Sequence, residues 1–300
     1  MTELEIILNL LSNMKELVLK SPAKINLGLQ VLGKRSDGYH EVRTILQEIE
    51  LHDLLYLSRI EEGIQLQCNH PRLPLNEQNL AFKAARLIKE KTRFSGGVKI
   101  YLDKKIPIGG GLGGGSSNAA CVIKGLNQLW GLGLTREEMQ NLGAEIGSDV
   151  PFFISGGTAL ATGRGEKIQQ LPSFPKTWLI VITPDVEIST SWAYKNLNLE
   201  LTNCSTNSNV ILPEDERNRW FSRVWEGKWI NAFEDLVIRE YPVVGEAKKL
   251  LEQIGARWVS LSGSGSSVFG IFNNQGEAEL ARSQITESTW FVYLTHTVER

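Results

Sequence analysis

The alternation of apolar and polar side chains predicts a strand-rich first half. Residues 98–103 alternate apolar and polar positions with a period of two, which is typical of a strand with one buried face. Asp37-Gly38 is a strong turn signal between two further apolar stretches. The same reasoning predicts four strands upstream, at residues 17–19, 25–32, 43–51 and 53–57.

Helical spacing of apolar residues takes over after these strands. Asn79 is predicted to cap a helix that runs to about Lys91. A second helix is predicted after a glycine-rich stretch, with Ser116 or Ser117 as its N-cap. Thr135 and Glu138 form a capping box that begins a third helix, ending near Gly147.

The second half of the sequence predicts alternating strands and helices, unlike the strands followed by helices of the first half. Strands are expected at 178–182, 258–261, 268–272 and 290–294, with helices at 244–254 and 277–285. This β-α-β-β-α-β order is ferredoxin-like, with an insertion over about 185–228. With 42% apolar residues, the chain is predicted to form two α+β domains, 14–165 and 166–300, after an N-terminal extension over 1–13 that has no catalytic role.

The most informative segment is the glycine loop between the strand at 98–103 and the helix that follows. Six of the seven residues from 109 to 115 are glycine, which allows the backbone to approach a ligand closely. Free N–H groups at a helix N-terminus favour an anion. No Gly-Lys-Ser/Thr follows, so a Walker A loop is excluded, and the G-x-G-x-x-G match is weak. A flexible linker is the alternative, but the short distance between strand and helix favours a phosphate-binding loop.

Net charge and composition limit the classes of partner and the cellular compartment expected for this chain. The net charge of −2 and the lack of a basic stripe argue against nucleic acid, and no membrane partner is expected. Cys68, Cys121 and Cys204 form no disulfide framework, which favours a reducing cytoplasm. The four histidines lack zinc-ligand spacing, and acidic residues near the N-terminus argue against a signal peptide.

Three motifs resemble the signatures of the GHMP small-molecule kinases. They are Pro22-Ala-Lys24-Ile-Asn26, the stretch 107–117 and Leu261-Ser-Gly-Ser-Gly265. The strings at 21–27, 35–40, 109–120 and 147–152 resemble the branch of that family whose substrate is a cytidine diphosphate-linked methylerythritol. The resemblance extends from Met14 to the end of the chain.

The resemblance implies an N-terminal ATP-binding domain similar to domain 2 of ribosomal protein S5, a ferredoxin-like C-terminal domain, and ATP with Mg²⁺. It implies phosphorylation of the 2-hydroxyl of that methylerythritol substrate in the non-mevalonate isoprenoid pathway, by a monomer or weak homodimer. The metal ligands stay unknown. Ser117 could bind a phosphate or Mg²⁺.

Lys24 and Asp149 match the family's catalytic pair. Taken alone, Lys24 could be a lysine at a strand edge and Asp149 an exposed turn residue. An aspartate beside the apolar 150–153 segment nevertheless suits a general base, and a lysine can offset transition-state charge.

The resemblance also implies the binding residues. Those expected to bind substrate are Asn26, Tyr39, His40, Thr190 and Tyr194, with Asn26 and Thr190 supporting the catalytic pair and the rings binding cytosine. Those expected to bind ATP are Asn79 and Lys104 near adenine and, along the loop, Pro107, Ile108, Gly109, Gly110, Gly111, Leu112, Gly113, Gly114, Gly115, Ser116 and Ser117. The segment 262–265 alone would be an ordinary hairpin turn.

Two other functions stay open. The first is a GHMP kinase for another small alcohol, such as mevalonate or homoserine, although Asp37-Gly-Tyr-His40 argues against it. The second is a sensor that binds nucleotide without catalysis, and the presence of both Lys24 and Asp149 argues against that.

Overall fold

The computed structural model describes residues 16–198, 230–287 and 289–300. The predicted extension over 1–13, Cys204 and most of the insertion lie outside the described residues. The described part is an α+β protein with two groups of paired strands, as the sequence predicts.

The strands fall into a long pair and a set of shorter ones. The described strands are β1 (Leu17–Lys34), β2 (His40–Ile60), β3 (Ile64–Cys68), β4 (Gly97–Asp103), β5 (Thr158–Gly163), β6 (Lys167–Gln170), β7 (Trp178–Thr183), β8 (Trp258–Leu261), β9 (Val268–Phe272) and β10 (Phe291–His296).

The helices connect these strands. The described helices are α1 (Leu80–Thr92), α2 (Gly114–Trp130), α3 (Arg136–Ile146), α4 (Val150–Ser155), α5 (Thr190–Asn196), α6 (Glu234–Glu240), α7 (Pro242–Gln253) and α8 (Gln275–Ser283).

Two long strands replace the four short ones that the sequence predicts before residue 60. Pro22 and Asp53 resemble strand breaks in the sequence, but they lie inside β1 and β2 respectively. Asp53 is tolerated there because its buried carboxylate accepts several hydrogen bonds, including one from the Lys105 N–H at 2.7 Å.

One compact unit comprises His52–Lys105, Gly114–Ser155 and the described residues up to Ser21. In it, β3 pairs parallel with β4, and β4 pairs antiparallel with the second half of β2. Helix α2 packs on α1 and α4. Gly125 allows α2 to approach closely, because a Cβ there would lie 2.7 Å from Leu19 and would overlap Leu57.

The other unit comprises Pro22–Leu51, Ile106–Gly113 and the described part of Gly156–Arg300. The first half of β2 pairs antiparallel with β5, and β5 with β6. A separate antiparallel sheet has the order β10-β7-β9-β8. With α7 between β7 and β8 and α8 between β9 and β10, this is the ferredoxin-like arrangement that the sequence predicts.

Candidate functional site

The glycine loop alternates its backbone conformation. Gly109, Gly111 and Gly113 have φ values of 70°, 77° and 70°, in the left-handed region that favours glycine. A Cβ on Gly111 would overlap the carbonyl oxygen of Ser262. Glycine at 111 is therefore required both by the backbone and by the close approach of another segment.

That other segment is the glycine turn, residues 262–267, between β8 and β9. The Ser267 N–H donates to the Gly110 carbonyl at 3.1 Å, and the Ser262 hydroxyl donates to the Gly111 carbonyl at 3.0 Å. Asn231 holds the base of the turn by donating to the carbonyls of Leu261 and Gly263, both at 2.8 Å. The turn is thus more than a hairpin connection, because it also binds the glycine loop.

Helix α2 begins earlier than the sequence predicts. Its first residue is Gly114, so Ser116 and Ser117 lie in the first turn and the prediction that either is the N-cap is wrong. Glycine can adopt helical dihedrals at a modest entropic cost, so the helix can begin before the serine that the capping rule favours. The Ser117 oxygen instead accepts a hydrogen bond from the Ser21 hydroxyl at 2.8 Å. The N–H groups of Gly114 to Ser116, in the first turn, precede the first intrahelical hydrogen bond and are suited to an anion.

Lys24 is buried rather than extended into solvent, with 3% of its surface exposed. Its ammonium donates to Asn26 Oδ1 at 2.6 Å, and Asn26 Nδ2 donates to Thr44 Oγ1 at 2.8 Å. The Thr44 hydroxyl donates to the Gly28 carbonyl at 2.6 Å. This relay fixes the ammonium near the glycine turn, where a Cβ on Gly263 would lie 3.4 Å from Lys24 Nζ.

Asp149 occupies the turn between α3 and α4. Gly147 ends α3, and the next helix begins at Val150, which is fully buried together with Phe152. The carboxylate-bearing residue itself is partly exposed. Asp149 and Lys24 belong to different compact units, and their pairing stays a prediction.

The aromatic residues form two separate contacts. His40 stacks on Tyr194 with ring centroids 4.9 Å apart, and the edge of Tyr194 meets Phe233. Tyr39 is 54% exposed, and the Arg164 guanidinium lies 4.8 Å from its ring centroid. The structure therefore brings His40 and Tyr194 together, while Tyr39 stacks with Arg164.

Electrostatics favour the neutral form of His40. Partial burial lowers the pKa of its imidazole, and the positive charge of Lys34 lowers it further. A neutral imidazole offers one hydrogen-bond donor and one acceptor.

Three other predicted residues have polar partners. The Thr190 hydroxyl lies 3.0 Å from the Ser264 hydroxyl in the glycine turn. Asn79 caps α1 by accepting from the Ala81 N–H at 2.9 Å, as its position in the sequence predicts. Lys104 is buried, and its ammonium forms an ion pair with Asp53 and donates a hydrogen bond to Asn118 Oδ1.

Sequence reasoning missed three polar residues that support these segments, namely Asn231, Asp53 and Asn118. Asn118 lies within the Gly-Ser-Ser-Asn string, and Asp53 is a lone charge in an apolar strand. Both signals were present in the sequence. Asn231 had no such signal, because its partners are 30 and 32 residues away.

The described residues contain neither a metal cage nor a membrane-spanning helix. No three His, Cys, Asp or Glu side chains come together as a metal cage in that part of the chain. No described helix is long and apolar enough to cross a membrane.

Two family models match the chain. The model for the GHMP kinases N terminal domain matches residues 79–157, and the model for the GHMP kinases C terminal matches residues 217–289. They fall on the two sides of the domain boundary that the sequence predicts.

Two relatives that align with most of this chain carry the same name. The 4-diphosphocytidyl-2-C-methyl-D-erythritol kinase of Acetivibrio thermocellus is 41% identical, covering 95% of this chain and 100% of the relative. A Bacillus cereus protein of the same name is 45% identical, covering 86% of this chain and 89% of the relative.

Solved structures of kinases have the same fold as this chain. A crystal structure of 4-(cytidine 5'-diphospho)-2C-methyl-D-erythritol kinase has a TM-score of 0.79 and 31% identity, covering 94% of this chain and 99% of that one. The homoserine kinase of Cytophaga hutchinsonii, at 20% identity, shares the fold with a TM-score of 0.70. The predicted fold, the predicted enzyme class and ATP as a substrate are confirmed. The chain belongs to the GHMP kinase family of small-molecule kinases.

Proposed function

We propose that this kinase transfers the γ-phosphoryl group of ATP to the 2-hydroxyl of 4-diphosphocytidyl-2-C-methyl-D-erythritol, in the non-mevalonate pathway to isoprenoid precursors. The observation that carries the proposal is the match, at 40–41% identity over 91–95% of the chain, to relatives named for that substrate. Among solved structures, a homoserine kinase and two mevalonate kinases are 15–20% identical to this chain, whereas the 4-(cytidine 5'-diphospho)-2C-methyl-D-erythritol kinase is 31% identical.

In the proposed reaction, Asp149 accepts the proton of the attacking hydroxyl. Its place beside the buried 150–153 segment limits solvent around the carboxylate and suits a general base. The oxygen then attacks the γ-phosphorus, and ADP leaves. Phosphoryl transfer needs little covalent help, so placement of the hydroxyl in line with the leaving group is the main contribution of Asp149.

Lys24 stabilises the charge that develops on the transferred group. Its ammonium is held in place by Asn26, so little reorganisation is needed in the transition state. Thr44 supports this arrangement by accepting from Asn26 and donating to the Gly28 carbonyl. Thr190 is proposed to support the same site through Ser264.

The residues from Pro107 to Ser117 are proposed to bind the triphosphate through backbone N–H groups. Left-handed glycines alternate along this stretch, and successive N–H groups in such a backbone form an anion-binding concavity. Mg²⁺ bound with ATP would neutralise phosphate charge and would be held by phosphate oxygens, and the Ser117 hydroxyl could bind either a phosphate or this Mg²⁺. Asn79 and Lys104 are proposed to lie near the adenine.

The cytidine of the acceptor is proposed to bind at His40 and Tyr194. The stacked pair offers an aromatic face for a base, and the neutral His40 can donate or accept at the base edge. Tyr39 contributes a second ring, which Arg164 holds in place.

The proposal also covers the domain division, the assembly state, nucleic-acid binding and the cellular location. We infer two domains divided near residue 165, an assembly no larger than a weak homodimer, no nucleic-acid partner, and a cytoplasmic location. Limited proteolysis tests the domain boundary, and sedimentation tests the assembly state.

The decisive experiment is an ADP-release assay over a panel of acceptors. The panel contains the cytidylyl substrate, 2-C-methyl-D-erythritol 4-phosphate, mevalonate and homoserine. We expect efficient turnover of the first, very poor turnover of 2-C-methyl-D-erythritol 4-phosphate and none of mevalonate or homoserine. Asp149→Asn should lower kcat by about 10²–10⁴ with ATP binding retained. Turnover of mevalonate or homoserine instead would assign another GHMP reaction, and ATP binding without any turnover would assign a sensor.

A further inference from the structure

A buried polar cluster lies in the first compact unit at the two ends of the glycine loop. Its centre is Asp53, which is fully buried in β2. We propose that Asp53 is a positioning residue that fixes both ends of the loop for ATP phosphate binding. The inference rests on the proposed function, because it assumes that the loop binds phosphate.

Oδ1 of Asp53 holds the backbone at the entrance of the loop. Oδ1 accepts the Lys105 N–H at 2.7 Å, and Lys105 immediately precedes residues 106–113. The neighbouring Lys104 forms an ion pair with Oδ2, and its ammonium also donates to Asn118 Oδ1 at 3.3 Å. The backbone and the side chain before the loop are therefore both bound to one carboxylate.

The other oxygen holds the exit. Oδ2 accepts from Asn118 Nδ2 at 2.8 Å, and Asn118 lies near the start of α2. The same amide donates to the Ser21 hydroxyl at 2.9 Å, which in turn donates to Ser117 Oγ at 2.8 Å. Asp53 thus joins the residues before the loop to the first turn of the helix after it.

Stability alone gives little reason for this arrangement. A buried ion pair is often no more stable than apolar side chains of similar volume, since removing two charges from water is costly. A carboxylate with several directed hydrogen bonds does, however, fix the positions of its donors. A glycine-rich loop has few side chains to restrain it, and fixed ends reduce the entropy lost when phosphate orders it.

The experiment compares nucleotide and phosphate binding by calorimetry in full-length variants. Asp53→Asn removes the charge while preserving shape, and Asn118→Leu removes the exit contact while leaving the Asp53–Lys104 pair intact. The probes are ATP and inorganic tripolyphosphate, which lacks a base. We expect Asp53→Asn to raise the dissociation constants of both probes by about tenfold or more, and Asn118→Leu to raise both by a smaller factor. The KM for ATP should rise accordingly, with a smaller change in kcat at saturation.

Glu48→Gln is the matched control. Glu48 is also a buried carboxylate of β2, accepts the Gly157 N–H at 2.7 Å and pairs with Arg300. Its substitution should lower Tm while leaving binding of both probes unchanged.

Several results would overturn the proposal. These are wild-type affinity for both probes in folded Asp53→Asn, an equal rise in Glu48→Gln, or a rise for ATP alone, which would indicate a contact with the base. Failure of both cluster variants to fold would assign the cluster to stability. If the wild-type chain bound neither probe, the proposed function would fail before the role of Asp53 was reached.

Discussion

Two regions of the second compact unit are built in opposite ways. The region that we propose for phosphoryl transfer, here the phosphoryl-transfer region, is defined by Lys24, Asn26, Gly111 and Ser262. It is held by hydrogen bonds and its lysine is almost fully buried. The region that we propose for the acceptor base, here the acceptor-base region, is defined by Tyr39, His40 and Tyr194. It is held by ring contacts, with one ring more than half exposed. The side chains of the first region have little freedom to move, whereas the second region exposes aromatic surface.

The difference corresponds to what each region is proposed to do. Stabilising charge in a transition state requires donors that are already in place. Recognising a base needs flat surface and a few edge contacts, which stacking supplies with tolerance for small displacements. Changes in the first region should therefore affect every acceptor alike, and changes in the second should affect the choice of acceptor.

The largest effect is expected for Lys24→Met. Methionine fills similar volume but removes the ammonium and leaves Asn26 Oδ1 without this donor. We expect kcat to fall about 10²–10³-fold, the usual effect of losing one transition-state donor, with little change in ATP affinity. Steady-state kinetics measures this. Lys20→Met, on an exposed position of the same strand, is the control. An equal fall for Lys20→Met would show that the strand, rather than the ammonium, is responsible.

Gly111→Ala tests the contact between the glycine loop and the glycine turn. The new Cβ would overlap the Ser262 carbonyl, and φ at this position is +77°. We expect the dissociation constant for ATP to rise about tenfold or more, because misplaced backbone donors lose phosphate contacts. Isothermal calorimetry measures it.

Gly131→Ala separates backbone strain from overlap. Gly131 has φ +66° and nothing within 4 Å of an added Cβ. This variant should lose only about 1–2 kcal/mol of stability from the left-handed conformation, with ATP binding unchanged. Unchanged ATP binding in Gly111→Ala as well would remove the loop from nucleotide recognition.

Local rules predicted the local parts of this molecule. The Asn79 cap and the Thr135–Glu138 capping box depend on neighbours within three residues, and both are present in the structure. Lys24 and Asn26, two apart in a strand, share a face and form a hydrogen bond, although the sequence analysis placed Asn26 beside Lys24 only through the family resemblance. The unbroken β2 was not predictable, because Lys104, which compensates the charge of Asp53, lies 51 residues away. The contact between Gly111 and Ser262 spans 151 residues and is invisible for the same reason.

In the acceptor-base region, Tyr194→Ala should reduce discrimination rather than turnover in general. Loss of a stacked base costs about 1–3 kcal/mol, which is roughly 5- to 150-fold in kcat/KM for the cytidylyl acceptor. The kcat/KM for 2-C-methyl-D-erythritol 4-phosphate, which lacks the base, should change little. Tyr194→Phe keeps the ring and should behave as wild type. Equal losses for both acceptors in Tyr194→Ala would place Tyr194 in support of Phe233 instead.

The smallest expected effect is a pH dependence from His40. Burial, assisted by Lys34, lowers the pKa of this imidazole below its usual 6.5. The neutral form therefore persists to lower pH in the folded protein than in the unfolded chain. Stability from this group is present above pH 6.5 and is lost as pH falls through the folded pKa.

Acceptor recognition should follow the same titration. If neutral His40 reads the cytosine edge, kcat/KM for the cytidylyl acceptor should stay level down to pH 6.5 and fall below it, by at most about tenfold per pH unit. The KM for ATP and the kcat/KM for the cytidine-free acceptor provide the reference at each pH. His40→Gln keeps a donor and an acceptor but does not titrate, so the acid limb specific to the cytidylyl acceptor should disappear. A kcat/KM that instead rises as pH falls would show that the imidazolium binds the acceptor, which would make this contact electrostatic and bring the acceptor-base region closer in character to the phosphoryl-transfer region.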